Sequence, residues 1–161
     1  AGEIICRGTN LMLGYYKNQE ATSQIIDVNG WLHTGDLGTM DAEGYVTVRG
    51  RSKNMLLTSS GQNIYPEEIE SKLNNMPYVS ESLIVLQHDK LVALIYPDFD
   101  DAFAHGLQQT DIEKAMEANR NELNLLLPAY CQITKVKIHF EEFEKTAKKS
   151  IKRFMYQEAK G

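Results

Sequence analysis

Residues 44–70 read GYVTVRGRSKNMLLTSSGQNIYPEEIE, and the chain changes character inside them. Up to about Arg51 the pattern is a strand: Val46 and Val48 alternate with polar neighbours between two glycines. Beyond Arg51, NMLLTSS and QNIY flank Gly61 and predict a hairpin. Pro66 then opens a helix, PEEIESKLNNM, with acids in its first turn and Ile69 and Leu73 on one face.

Before this stretch the chain is glycine-punctuated and strand-like. GEIICRG, GYY, a short amphipathic piece over 20–28, and GYVTVRG after the turn signal DAEG read as edges of a sheet that is mostly missing. With so little apolar surface of their own, the first fifty residues are expected to fold poorly unless something else covers them. After it, SESLIVLQH and KLVALIYP are two β runs separated by His88-Asp89-Lys90. Thr110 is expected to cap a helix from Asp111 to about Leu126, with Glu113 completing a capping box and Pro128 ending it. ITKVKIHF is a third strand, and a short helix is expected from about Ile151. Interleaved strands and helices give an α+β fold: a small mixed sheet with flanking helices, preceded by a β-rich tail.

Composition excludes several classes. Of 161 residues, 24% are charged and 42% hydrophobic, as in ordinary globular proteins. A net charge of −5 argues against a nucleic-acid surface. No apolar run approaches the roughly 20 residues of a transmembrane helix, and the N-terminus has no secretory pattern, so a cytoplasmic location is expected. Peripheral membrane association is left open. Cys6 and Cys131 are far apart and read as reduced structural thiols, and His33, His88, His105 and His139 are scattered, so no metal site is expected. Against the acidic balance, Lys145, Lys148, Lys149, Lys152 and Arg153 cluster near the C-terminus, either as a solvated helix start or as an anion-seeking arm.

One further stretch, GWLHTGDLG at 30–38, sets Asp36 in a Thr-Gly-Asp turn where glycine permits close approach of another molecule. A carboxylate there suits the vicinal diol of a ribose. The alternative is that Asp36 caps its own turn in the Asx manner.

Taken in order, GEIICRG, GYY, GWLHTGDLG, GYVTVRGRSKNMLLTSSGQNIYPEEIE and LLPAY with the lysine-rich end resemble the AMP-forming acyl- and aryl-CoA synthetase superfamily, which includes luciferases and peptide synthetase adenylation domains. The resemblance covers essentially the whole chain. It implies that residues 1–51 are the end of a large N-terminal adenylation domain and 52–161 a mobile C-terminal lid. It makes Asp36 the ribose-binding acid, Arg51 the cation contacting ribose and phosphate, Lys53 the hinge residue, and Gly61 the point where backbone nears the pantetheine of CoA. The implied reaction has two steps. A carboxylate attacks the α-phosphorus of ATP to give an acyl-adenylate and pyrophosphate, and the CoA thiol then displaces AMP. Its substrates are a fatty acid, ATP and CoA, with Mg²⁺ held mainly by the N-terminal domain of the same chain.

Two departures accompany the resemblance. The family supplies a late lysine in a pattern like Thr-x-x-Gly-Lys-(Ile/Leu)-x-Arg, but alignment of KTAKKSIKR on Ile151 and Arg153 puts Ser150 in the lysine's place. Lys149, one residue earlier, is the favoured substitute, with Lys148 and Lys152 as alternatives. The family's phosphate-binding loop, adenine-contacting motif and acyl pocket are absent, so the chain reads as a fragment that is inactive alone. The texture of SSGQNIYPEEIE places a bacterial long-chain fatty acid CoA ligase first, then other short or aryl carboxylates, then amino acids. A protein-interaction module is the alternative of another class.

Overall fold

The computed structural model describes residues 1–157 and divides the chain into two units, Ala1–Met55 and Leu56–Gly161. The first unit is an antiparallel sheet in the order β1-β2-β3, built from β1 (Gly2–Cys6), β2 (Leu32–Met40) and β3 (Val46–Arg51). Its helix α1 (Gln19–Ile25) is capped by Asn18, whose Oδ1 accepts from the Ala21 N–H at 3.0 Å. GYY is not a strand: the Tyr15 N–H donates to Thr22 Oγ1 at 2.9 Å, which ties this stretch to the helix.

The second unit begins with the expected hairpin, β4 (Leu56–Leu57) against β5 (Asn63–Ile64), and the expected helix α2 (Pro66–Leu73). Strands β6 (Val79–Gln87) and β7 (Lys90–Pro97) pair antiparallel, and β8 (Lys135–Ile138) joins β7 in parallel, so the sheet is mixed. Between β7 and β8 lie α3 (Phe99–Ala104) and α4 (Gln109–Leu126). The fold is α+β. One sheet face, with Ile84, Ala93 and Ile95, packs on Ile69 and Leu73 of α2 and on Ile112, Met116 and Leu123 of α4. The opposite face, with Leu83, Val85, Val92 and Leu94, is covered by Phe143, Ile151 and Tyr156 of the C-terminal segment rather than by a helix. Among the described residues no helix is long and apolar enough to cross a membrane.

Three further sequence expectations are corrected. Helix α4 starts at Gln109, because Asp111 serves as its third residue and accepts from the Gln108 N–H at 3.1 Å; Thr110 is therefore inside the helix. The helix expected near Ile151 is one 3₁₀ turn, Arg153–Met155, since Ile151 is taken up in a β-bridge with Lys145. And Thr34-Gly35-Asp36 is a bulge within β2, not a turn. Opposite Glu3 stands Leu37 and opposite Ile5 stands His33, so three residues of β2 face Ile4 alone. Gly35, at φ 71°, makes that excursion possible.

Four tight turns share one design. In Asp27–Trp31, Asp41–Tyr45, Thr58–Gln62 and Thr146–Ser150 the fourth residue's N–H donates to the first carbonyl, and the first N–H to the fifth carbonyl. The first side chain accepts from the fifth N–H in each. This is a turn closed by one left-handed residue, a position that favours glycine. Gly30, Gly44 and Gly61 fill it in three, at φ 79°, 90° and 79°; in the fourth it is Lys149, at φ 59°.

Candidate functional site

Two polar constellations, one in each unit, collect the residues singled out above. In the first, the bulge fixes Asp36 directly across from Arg51 in the β2–β3 register. Arg51 Nη1 donates to Asp36 Oδ1 at 2.6 Å and also reaches the Thr34 carbonyl at 3.3 Å. The Asx alternative does not hold, because the Thr34 hydroxyl closes the local backbone instead. It accepts from the Asp36 N–H at 3.0 Å and donates to the Ile4 carbonyl at 2.6 Å. The Arg51 bond is made through Oδ1 and the Asp36 side chain is 34% exposed, so the carboxylate keeps acceptor capacity for another molecule.

Sequence reasoning missed the groups that brace this bulge. Glu3 Oε1 accepts from the Gly35 N–H at 3.0 Å, while Oε2 lies 2.8 Å from His33 Nδ1. His33 Nε2 is 3.9 Å from Asp27 Oδ2. The hydrogen bond to Glu3 raises the His33 imidazole above its ordinary value, and the same bond holds Glu3 below the usual carboxylate range. Asp27 is held low chiefly by the Trp31 N–H. Only the spacing Gly2-Glu3 against His33 hinted at this, and it requires the β1–β2 register to be read. A surface concavity of about 540 Å³ in this unit is lined by Glu3, His33, Thr34, Gly35, Arg51 and Lys53 among others. Lys53 lies exposed in a 3₁₀ turn, Ser52–Asn54, two residues before the division between the units.

In the second unit Gly61 occupies the left-handed position of the β4–β5 turn, and a Cβ there would meet nothing within 4 Å. The turn is exposed and its backbone is open to approach. Lys149 holds the same position in the 146–150 turn, with Ser150 following it. The rest of the basic cluster is neutralised. Lys145 pairs with Glu81 at 2.8 Å and Glu142 at 3.2 Å, and Lys152 lies 3.6 Å from Glu144 Oε2. Arg153 makes a two-pronged bond to Glu70, which is nine-tenths buried and also accepts from the Ile84 N–H at 2.7 Å. Burial pushes the Glu70 carboxyl up, against the pull of the Arg153 guanidinium. The Lys148 and Lys149 side chains have no ion-pair partner among the described residues.

No group of three or more His, Cys, Asp or Glu among the described residues could hold a metal ion. Cys6 and Cys131 are free thiols, and burial raises Cys131.

The family model described as AMP-binding enzyme C-terminal domain matches residues 53–159. "Probable acyl-activating enzyme 4" of Arabidopsis thaliana is 32% identical over 157 residues, which are 98% of this chain and 28% of that protein. A 3-[(3aS,4S,7aS)-7a-methyl-1,5-dioxo-octahydro-1H-inden-4-yl]propanoyl:CoA ligase from Rhodococcus jostii is 49% identical over 84 residues, 52% of this chain and 16% of that one. Among solved structures, the o-succinylbenzoate CoA synthetase from Bacillus subtilis, in complex with its acyl-adenylate intermediate, superimposes with a TM-score of 0.74 at 26% identity. That match covers 99% of this chain and 31% of the synthetase. The chain thus spans less than a third of the length of the curated relatives it matches.

Proposed function

We propose that this chain, which belongs to the AMP-binding enzyme C-terminal domain family, is the C-terminal part of an ATP-dependent, AMP-forming acid–CoA ligase. The observation that carries the reading is the Asp36–Arg51 pair, a part-exposed acid beside an exposed guanidinium at a braced bulge. Asp36 would accept from a ribose hydroxyl, while Arg51, always charged, would meet phosphate. Residues 1–51 would then end a larger adenylation domain, residues 52–161 would form its lid, and Lys53 would serve as the hinge.

The catalytic demand of adenylation is charge: negative charge grows on phosphate oxygens as pyrophosphate leaves, and a positioned cation offsets it. Lys149 fits that need. It is uncommitted at the tip of its turn, whereas the alternative Lys152 already faces Glu144. Its backbone is left-handed, at φ 59°, a conformation that costs a non-glycine residue some strain. Gly61 would admit the pantetheine arm of CoA for the second step. ATP and CoA are substrates here, and Mg²⁺ would be held mainly by the N-terminal domain, since among this chain's described residues no group of three or more His, Cys, Asp or Glu could hold a metal ion.

For the carboxylate we favour a long-chain fatty acid, on the texture of SSGQNIYPEEIE. A ring-bearing or short acid is the second reading, supported by the ring-propanoyl and o-succinylbenzoate ligases among the relatives. In the full-length protein, acid-dependent exchange of labelled pyrophosphate into ATP tests the reaction, and a panel of carboxylates ranks the substrates. Asp36→Ala should raise KM for ATP about tenfold, the loss of one good hydrogen bond to a charged acceptor. No exchange with any carboxylate, or an unchanged KM, would overturn the proposal. Lys149→Ala should abolish exchange while Lys152→Ala should not.

A further inference from the structure

The turn joining β6 and β7 is made by His88 and Asp89, both left-handed at φ 49° and 60°, in a position where hairpins prefer glycine or asparagine. The Asp89 side chain is engaged outside its own hairpin. Asp89 Oδ1 accepts from the Ser59 N–H at 2.9 Å, and Oδ2 takes the Ser59 hydroxyl. Ser59 is the second residue of the Thr58–Gln62 turn, whose left-handed member is Gly61. One carboxylate therefore grips, through two donors of a single residue, the turn of a neighbouring hairpin 30 positions earlier in the chain.

The β4–β5 hairpin needs such a grip. Its strands are two residues each, its Leu57 is 60% exposed, and only Leu56 and Ile64 anchor it in the core. A two-stranded hairpin this short has no stability of its own. The Thr58 hydroxyl organises the turn internally, with Gln62 N–H at 3.1 Å and Ser60 Oγ at 2.9 Å, but does not fix it to the sheet. Asp89 does.

We propose that Asp89 is a positioning residue for the thioester-forming step: by holding Ser59 it sets where the Gly61 backbone stands when CoA approaches. The inference rests on the reading of Gly61 as the CoA-facing turn. On that reading the turn serves only the second half-reaction, so the first provides the internal reference.

The test uses the full-length protein and compares pyrophosphate exchange with CoA-dependent turnover. Asp89→Ala and Ser59→Ala should each raise KM for CoA about three- to tenfold, the range of one or two exposed hydrogen bonds, while exchange stays within about twofold. Asp89→Asn keeps the acceptor for the Ser59 N–H and should recover most of the CoA affinity. An unchanged KM for CoA in both variants, or an equal fall in the two half-reactions, overturns the latch. If Asp89→Ala does not fold, Ser59→Ala carries the same comparison alone. Gly61→Glu separates the two levels. If it leaves the CoA step intact, the reading of the turn fails; if it blocks that step while Asp89→Ala and Ser59→Ala do nothing, only the latch fails.

Discussion

The two units reach order by different means. Among the described residues of Ala1–Met55 no hydrophobic side chain is buried, and Ile5, Met40, Tyr45, Val46 and Val48 are all at least 42% exposed. Among the described residues from Leu56 onward, nineteen hydrophobic residues are buried, in two clusters on the two faces of the mixed sheet. The first unit is held instead by polar braces: Glu3 on Gly35 and His33, Thr34 on Ile4, Asp36 on Arg51. Backbone ladders and exposed polar contacts contribute little net stability, whereas burial of apolar surface dominates folding. The first unit thus holds a well-defined polar geometry with little apolar burial of its own, and the proposed N-terminal domain is the natural source of the missing cover.

The sharpest way to break this contrast is to separate the units. Residues 56–161 produced alone should melt cooperatively by circular dichroism, whereas residues 1–55 alone should show no transition; a cooperative melt of the latter would refute the contrast outright. Next in size is the buried ion pair. Arg153→Ala strands the buried Glu70 carboxylate beside the edge strand β6 and should destabilise the second unit by about 4 kcal/mol in urea unfolding. Leu83→Ala, at a fully buried position, should cost about 3 kcal/mol, while Val48→Thr, 61% exposed in the first unit, should change stability by less than about 0.5 kcal/mol. Lys149→Gly should stabilise the second unit by up to about 1 kcal/mol by relieving its left-handed backbone, and should lower pyrophosphate exchange in the full-length protein.

The smallest expected effect concerns the polar braces. His33 is raised in the folded state by Glu3, so its contribution is fully present below its unfolded value near 6.5 and is lost as pH rises through the higher folded value. Glu3 is lowered, so its contribution is present above its unfolded value near 4.5 and is lost as pH falls through the lower folded value. The brace is therefore strongest between those limits. In an NMR titration of the full-length protein, Glu3→Gln should move the His33 midpoint down toward its ordinary value; no movement would dissociate the two groups.

Much of the second unit was legible because local signals agreed with one another. Pro66 with acids behind it, the glycine of the β4–β5 turn, and the two apolar runs around His88-Asp89 each name their element without knowledge of the rest. Errors arose where a residue's role depends on a partner not yet placed. Asp111 is a good first helical residue until its carboxylate is seen on the Gln108 N–H. Ile151 continues an apolar pattern, yet its bridge to Lys145 takes it out of any helix. Thr-Gly-Asp has the composition of a turn, and only the β1 register reveals two extra residues in a strand. At the site, Asp36 and Arg51 were nameable by resemblance, but their pairing across 15 positions, and the Glu3 brace, follow from register alone.

The fourth of the matched turns bears on how such a chain can change over time. Gly30, Gly44 and Gly61 sit where selection for stability alone would leave them, while Lys149 occupies a slot that drift toward stability would return to glycine. If Lys149 is the adenylating cation proposed above, position 149 becomes a gauge of use. On that proposal, homologues that form acyl-adenylates should keep a cation at 149 or at 150, and homologues without that activity should relax position 149 to glycine first.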